Sequence, residues 1–161
     1  MEPFIKKIIS GGQTGVDRAA LDYAVIHNIP CGGFCPKGRL CENGTIPTHY
    51  PLTETANPNY DHRTMKNVLA SDGTLILTFD LRMGSGTRLT LDFCKQNNKP
   101  TLLIDLNRSA INNIHKIQWW MDNHPIKIVN VAGNRESKAP GIYEATLNFL
   151  NQLPLHATPV D

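Results

Sequence analysis

The chain has 161 residues, 40% of them hydrophobic and 19% charged, the balance of a globular protein able to bury about 70% of its unfolded surface. Sixteen basic against fourteen acidic residues give a formal charge of +2, too small a bias to point to nucleic acid or an anionic membrane. No apolar run reaches the roughly 20 residues that span a bilayer, and the opening MEPFIKKIIS reads as a strand rather than a signal peptide, so a cytoplasmic protein is expected.

In chain order, residues 4–9 predict a first strand, interrupted by Lys6 and Lys7. A helix over 17–28 follows, because Ala20 and Ala24, and Leu21 and Val25, fall at i, i+4 spacing and Pro30 forbids continuation. Residues 31–35 form a short apolar piece with a weak strand pattern. Residues 36–60, rich in Pro, Gly, Thr and Asn, read as a long excursion, and structureless loops of that length are usually functional. The pattern then gives a helix over 61–70, a buried strand over 74–79 (TLILTF), a helix over 87–97 and a strand over 101–104. It ends with a helix over 111–121, a strand over 126–131 and a helix over 141–152. Of the adjacent Trp119 and Trp120, one ring is expected to face the core and the other to look elsewhere, which would fit a subunit contact. Strands alternating with helices predict an α/β fold: a Rossmann-like, doubly wound three-layer sandwich with a mainly parallel central sheet. One ligand-binding domain over 1–152 and a loose tail over 153–161 are expected.

In such sheets ligands bind beyond the carboxyl ends of the strands. Three glycine-bearing segments fall there: SGGQTGVD after the first strand, MGSGT after the third and AGNRE after the fifth. Glycines let backbone N–H groups approach an anion, and a helix N-terminus adds unpaired donors. The candidate binding residues are Gly11, Gly12, Gln13, Thr14, Gly15 and Arg18 in the first segment. Thr78, Gly84, Ser85, Gly86 and Thr87 belong to the second, and Gly133, Arg135 and Glu136 to the third. Lys37 and Arg39 would reach the anion if the excursion folds over the strand ends as a flap. Asp17, Ser85 and Thr87 have an alternative reading as helix caps, and GGQTG matches neither the P-loop nor the dinucleotide fingerprint. The cysteines at 31, 35, 41 and 94 and the scattered histidines have no metal-site spacing, so no protein metal ligand is expected. The residues themselves lead to a binder of an anionic, phosphate-bearing small molecule.

Taken together, SGGQTGVDRAALD, CPKGRL, RTMKNVLASDGTLILTF, GSGT and NVAGNRESKAPGIYEA resemble the molybdenum carrier protein family over about residues 8–152. That family is similar to a larger Rossmann-like group holding the lysine-decarboxylase-like phosphoribohydrolases, known for cytokinin activation, and the DNA-processing protein A fold. The resemblance implies a non-enzymatic carrier of molybdenum cofactor, usually a homo-oligomer (dimer or tetramer), that protects the cofactor for delivery to molybdoenzymes; from the charge balance, no nucleic acid or membrane partner is expected. Its phosphate would go to residues 11–15 and its oxomolybdenum end to Ser85, Gly86 and Thr87, with Arg135 and Lys37 nearby, or the reverse. The phosphoribohydrolases carry PGGxGTxxE, whose glutamate acts in N-glycosidic cleavage. Here the stretch is MGSGTRLTLD, with Thr90 where the acid would stand and Asp92 as the substitute, so a nucleotide hydrolase is the competing expectation.

Overall fold

The run Gly73–Thr78 (β7) is buried along its whole length, as a parallel strand covered on both faces must be. In the computed structural model, which describes residues 5–154, β7 pairs in parallel with Thr101–Asp105 (β8) and with Ile128–Gly133 (β9). Strand β9 pairs with Lys7–Ile9 (β1), and β1 with Cys31–Gly32 (β2). The result is a five-stranded parallel sheet in the order β2-β1-β9-β7-β8, the centre of a Rossmann-like three-layer sandwich.

Alternation along the pleat divides each strand between two faces. Ile8, Leu75, Leu77, Val129 and Val131 enter one core with residues of three helices, Val16–Ile26 (α1), Ala110–Asn123 (α4) and Ile142–Leu150 (α5). The intervening Thr74, Ile76 and Asn130 turn away from that core. The remaining two helices, Tyr60–Ala70 (α2) and Ser85–Gln96 (α3), pack against each other. Trp120 is buried, while Trp119 is 64% exposed.

From β1 the chain steps outward to β2, and from β7 it steps outward the other way to β8. Strand β9, entered last, fills the gap between β1 and β7. The loops leaving β1 and β7 therefore part on either side of β9, and a crevice opens at its carboxyl end.

Two expectations change. The piece at residues 31–35 is not one strand: Gly33, at φ +128°, breaks it into β2 and Phe34–Cys35 (β3), which pairs outside the main sheet with Thr53–Glu54 (β6). The excursion is likewise no flap. Leu40–Cys41 (β4) and Gly44–Thr45 (β5) make an antiparallel pair, and Leu21, Cys35, Cys41, Ile46 and Tyr50 form a second small core beneath it. The Tyr50 and Tyr143 hydroxyls both donate to Asp22, tying excursion, α1 and α5 together. Phe4 of the predicted first strand and residues 155–161 of the predicted tail lie outside the described residues, while Leu153 is buried in the main core.

A Cβ at Gly33 would stand 2.1 Å from the Ser10 carbonyl oxygen. Gly33→Ala therefore combines backbone strain with a clash against main chain, and urea unfolding should show a loss of about 3 kcal/mol or more.

Candidate functional site

A cavity of about 520 Å³ lies at this crevice, between the loops after β1, β7 and β9, with α2 on one side. Its size is that of a small-molecule site. It brings together Gly11, Gln13, Gly84, Ser85, Gly86, Thr87, Gly133 and Arg135. Thr14, Gly15, Arg18 and Glu136 line a neighbouring hollow instead, and Gly12, Lys37, Arg39 and Thr78 line neither.

The first glycine loop is turned in on itself. The Gly12 N–H donates to Ser10 Oγ (3.3 Å), the Gln13 N–H to Asp17 Oδ2 (3.3 Å) and the Thr14 N–H to Gln13 Oε1 (3.1 Å). Donors spent on internal acceptors cannot cradle a phosphate. Arg18 Nη2 donates to the Gly12 carbonyl (3.0 Å), and its guanidinium lies over the Tyr50 ring. The Thr14 hydroxyl donates to Glu42. Glu136 accepts the N–H groups of Gly141 (2.6 Å) and Tyr143 (3.0 Å), so it serves the start of α5. The Thr78 hydroxyl donates to the Ile104 carbonyl (3.0 Å). Arg39 donates to the carbonyls of Ile46, Pro47, Tyr50 and Leu52, holding the excursion's shape, and Lys37 is exposed and outside the cavity lining.

The opposite wall is open. Helix α3 starts at the N-cap Gly84 without a side-chain cap. Asn134, at the end of β9, accepts the Gly84 N–H (2.8 Å) and the Thr87 hydroxyl (2.9 Å) on Oδ1, and donates Nδ2 to the Arg82 carbonyl (2.8 Å). Thr87 thus neither caps the helix nor has its proton free for a ligand. The N–H groups of Ser85, Gly86 and Thr87 have no partner among the described residues, and all three residues line the cavity. Three orphan amides at the positive end of a helix dipole are a ready receptor for an oxyanion.

Helix α2 supplies the charge. Arg63 is buried, donates Nη1 to the Gly11 carbonyl (2.6 Å) and lies 3.9 Å from Asp17 Oδ2. A Cβ at Gly11 would meet Arg63 Nη1 at 2.2 Å, so a side chain there would push the guanidinium from its present place. Tyr60 lies 5.3 Å from the Arg63 guanidinium carbon and 5.4 Å from that of Arg135, so its ring is shared by the cavity's two guanidinium groups. Arg135 also lies 3.9 Å from Glu42. Burial would raise the Glu42 carboxyl, but hydrogen bonds from Ser137 and Thr14, with Arg135 close by, hold it below the usual range. Burial pushes Asp17 the other way, up to about 6, against the opposing pull of Arg63 and the Gln13 N–H. Gln13 is 5% exposed; its Oε1 accepts the N–H groups of Thr14 and Glu42, while its buried Nε2 has no partner.

Tyr60, Arg63, Asn67, Asn130 and Asn134 line the cavity without having been predicted. The sequence signal for Arg63 was its place just after the excursion, and for Asn134 its place within AGNRE. Asp17 stands at the second position of α1 rather than at its cap, and lines the cavity. Asp92 is exposed and lies outside it. Among the described residues no three His, Cys, Asp or Glu side chains converge as a metal site, and no helix is long and apolar enough to cross a membrane.

The model of the circularly permutated YpsA SLOG family matches residues 8–154. A crystal structure of a protein from Syntrophus aciditrophicus SB, named "Putative molybdenum carrier protein", is 49% identical and superposes with a TM-score of 0.90, covering 94% of this chain and 96% of that one. No curated protein sequence matches the chain.

Because the Asp17 carboxyl is raised from 3.8 to about 6, its contribution to stability is fully present below the lower value and lost as pH rises through the upper one. Chemical unfolding of the wild type and Asp17→Asn across this range should show the wild type losing about 2.5 kcal/mol relative to the variant between about pH 4 and 7.5. A flat difference would mean that burial does not govern this group.

Proposed function

The chain belongs to the circularly permutated YpsA SLOG family, and from that membership and the chemistry of the cavity we propose that it is a carrier of molybdenum cofactor, holding the phosphate-bearing pterin across the crevice. The observation that carries the reading is a lining with unused donors on both walls: three orphan amides at α3 on one, and Nε and Nη2 of Arg63 on the other. A cargo with an anionic group at each end answers both walls. The name of the Syntrophus protein supports molybdenum as part of that cargo.

The phosphate belongs on α3. Converging amides with no counter-charge suit a phosphate, whereas the amides of residues 12–14 are already spent. The oxomolybdenum end then lies toward Arg63 and Gln13, with the dithiolene supplying the metal's sulfur ligands. Thr87 and Asn134 act by positioning the start of α3. The reading requires no catalytic group, and the acid expected of a nucleotide hydrolase, Asp92, is away from the cavity. We extend the proposal to a homo-oligomer in the cytoplasm that hands its cargo to molybdoenzymes.

Ser85→Pro tests the phosphate assignment. Proline is tolerated at the first helical position, and Gly84 at φ −69° and ψ 173° is compatible with a following proline. The variant removes one orphan N–H while unfolding free energy should change by less than about 1 kcal/mol. After anaerobic loading and gel filtration, pterin fluorescence and molybdenum content should show cofactor affinity down about tenfold, the loss of one charge-assisted hydrogen bond. Undiminished retention would remove the phosphate from α3.

A further inference from the structure

Arg63 is a cation enclosed by protein, and its charge is balanced on one side only. Nη1 faces the Gly11 carbonyl and Asp17, while Nε and Nη2 have no hydrogen-bond partner among the described residues. Arg63 and Asp17 both line the cavity. An oxyanion meeting the open side of this guanidinium would share it with the Asp17 carboxylate, and two anions on one buried cation repel each other. The other charged groups around Asp17 are Arg18 on its own helix and, along the cavity wall, Arg135, Lys138 and Asp61, the last exposed. No histidine among the described residues lines the cavity.

We propose that Asp17 is the residue that sets the anion specificity of this cavity: an oxyanion docking on Arg63 displaces Asp17 as counter-ion, and one proton passes from solvent to the Asp17 carboxyl for each anion bound. The inference rests on the reading above that one anionic end of the cargo lies against Arg63. Burial already holds the free carboxyl near neutrality, at about 6, and loss of its cation raises it further. Binding therefore weakens as pH rises above the free value, and an extra carboxylate in the ligand is penalised where a protonatable oxyanion is not.

Molybdate is a suitable probe, since it keeps its dianionic charge across this range and isolates the protein's own proton. Equilibrium dialysis with molybdenum analysis, on the full chain, should show affinity falling by about tenfold per unit between about pH 7 and 8. Calorimetry in two buffers of different ionisation enthalpy should report uptake approaching one proton per anion. Asp17→Asn should bind more tightly than wild type at about pH 8, with no pH slope and no proton uptake. Should that variant fail to fold, the proton count on the wild type decides alone. Molybdate bound with no proton uptake and an unaltered slope in the variant overturns the role of Asp17 and leaves the carrier reading standing. Molybdate bound by neither protein, even at about pH 6, removes the anion from Arg63, and this proposal and that part of the carrier reading fall together.

Discussion

The burial of one guanidinium organises this site. A cation enclosed by protein without a partner costs several kcal/mol, so Arg63 dictates its surroundings. It requires a carbonyl, a carboxylate and enough space, and the first glycine loop supplies all three. The Gly11 carbonyl accepts its proton, Asp17 balances its charge, and the missing side chain of Gly11 leaves the room. Since Arg63 rides on α2 and Asp17 on α1, the same contact fixes helices from opposite sides of the sheet around one crevice. The protein's near-neutral net charge gives no hint of this buried cation and its carboxylate, because the field in a low-dielectric cleft depends on where charges sit rather than on their sum.

Asn134 does the equivalent work on the other wall. A helix start normally recruits a side-chain cap for its free N–H groups. Here Asn134, just past β9, leaves those groups alone and takes the Gly84 N–H and the Thr87 hydroxyl instead. The turn before α3 is thereby held in place while the next three amides stay unspent. Preorganised donors of this kind need no rearrangement at the moment of binding, which is where ligand affinity is commonly lost.

The sheet was legible because its evidence is local. The run at residues 74–79 has the continuous apolar character of a doubly covered strand, and the structure displaces it by a single residue, to Gly73–Thr78. The edges were legible too: three glycine segments stand at three strand ends. What local pattern could not supply was the fate of each donor. The glycine loop at residues 11–15 looks like a cradle until Ser10, Gln13 and Asp17 are seen to take the amides of residues 12–14. Arg39 looks available until it is found spanning four carbonyls of its own excursion. Arg63 and Asn134 act through partners 52 and 50 residues away in sequence, beyond the reach of any periodicity.

The two walls obey different physics. Helix amides carry a permanent dipole with nothing to neutralise it and have no proton of their own to gain or lose in this range. A guanidinium with a resident carboxylate is different, because its free charge depends on the protonation of its neighbour. On the proposed reading one end of the cargo is anchored by fixed dipoles and the other by a cation whose strength can change. A carrier has to retain its cargo and also surrender it, and an asymmetric pair of receptors separates those demands. The anchored end resists loss, while the adjustable end is where release would start.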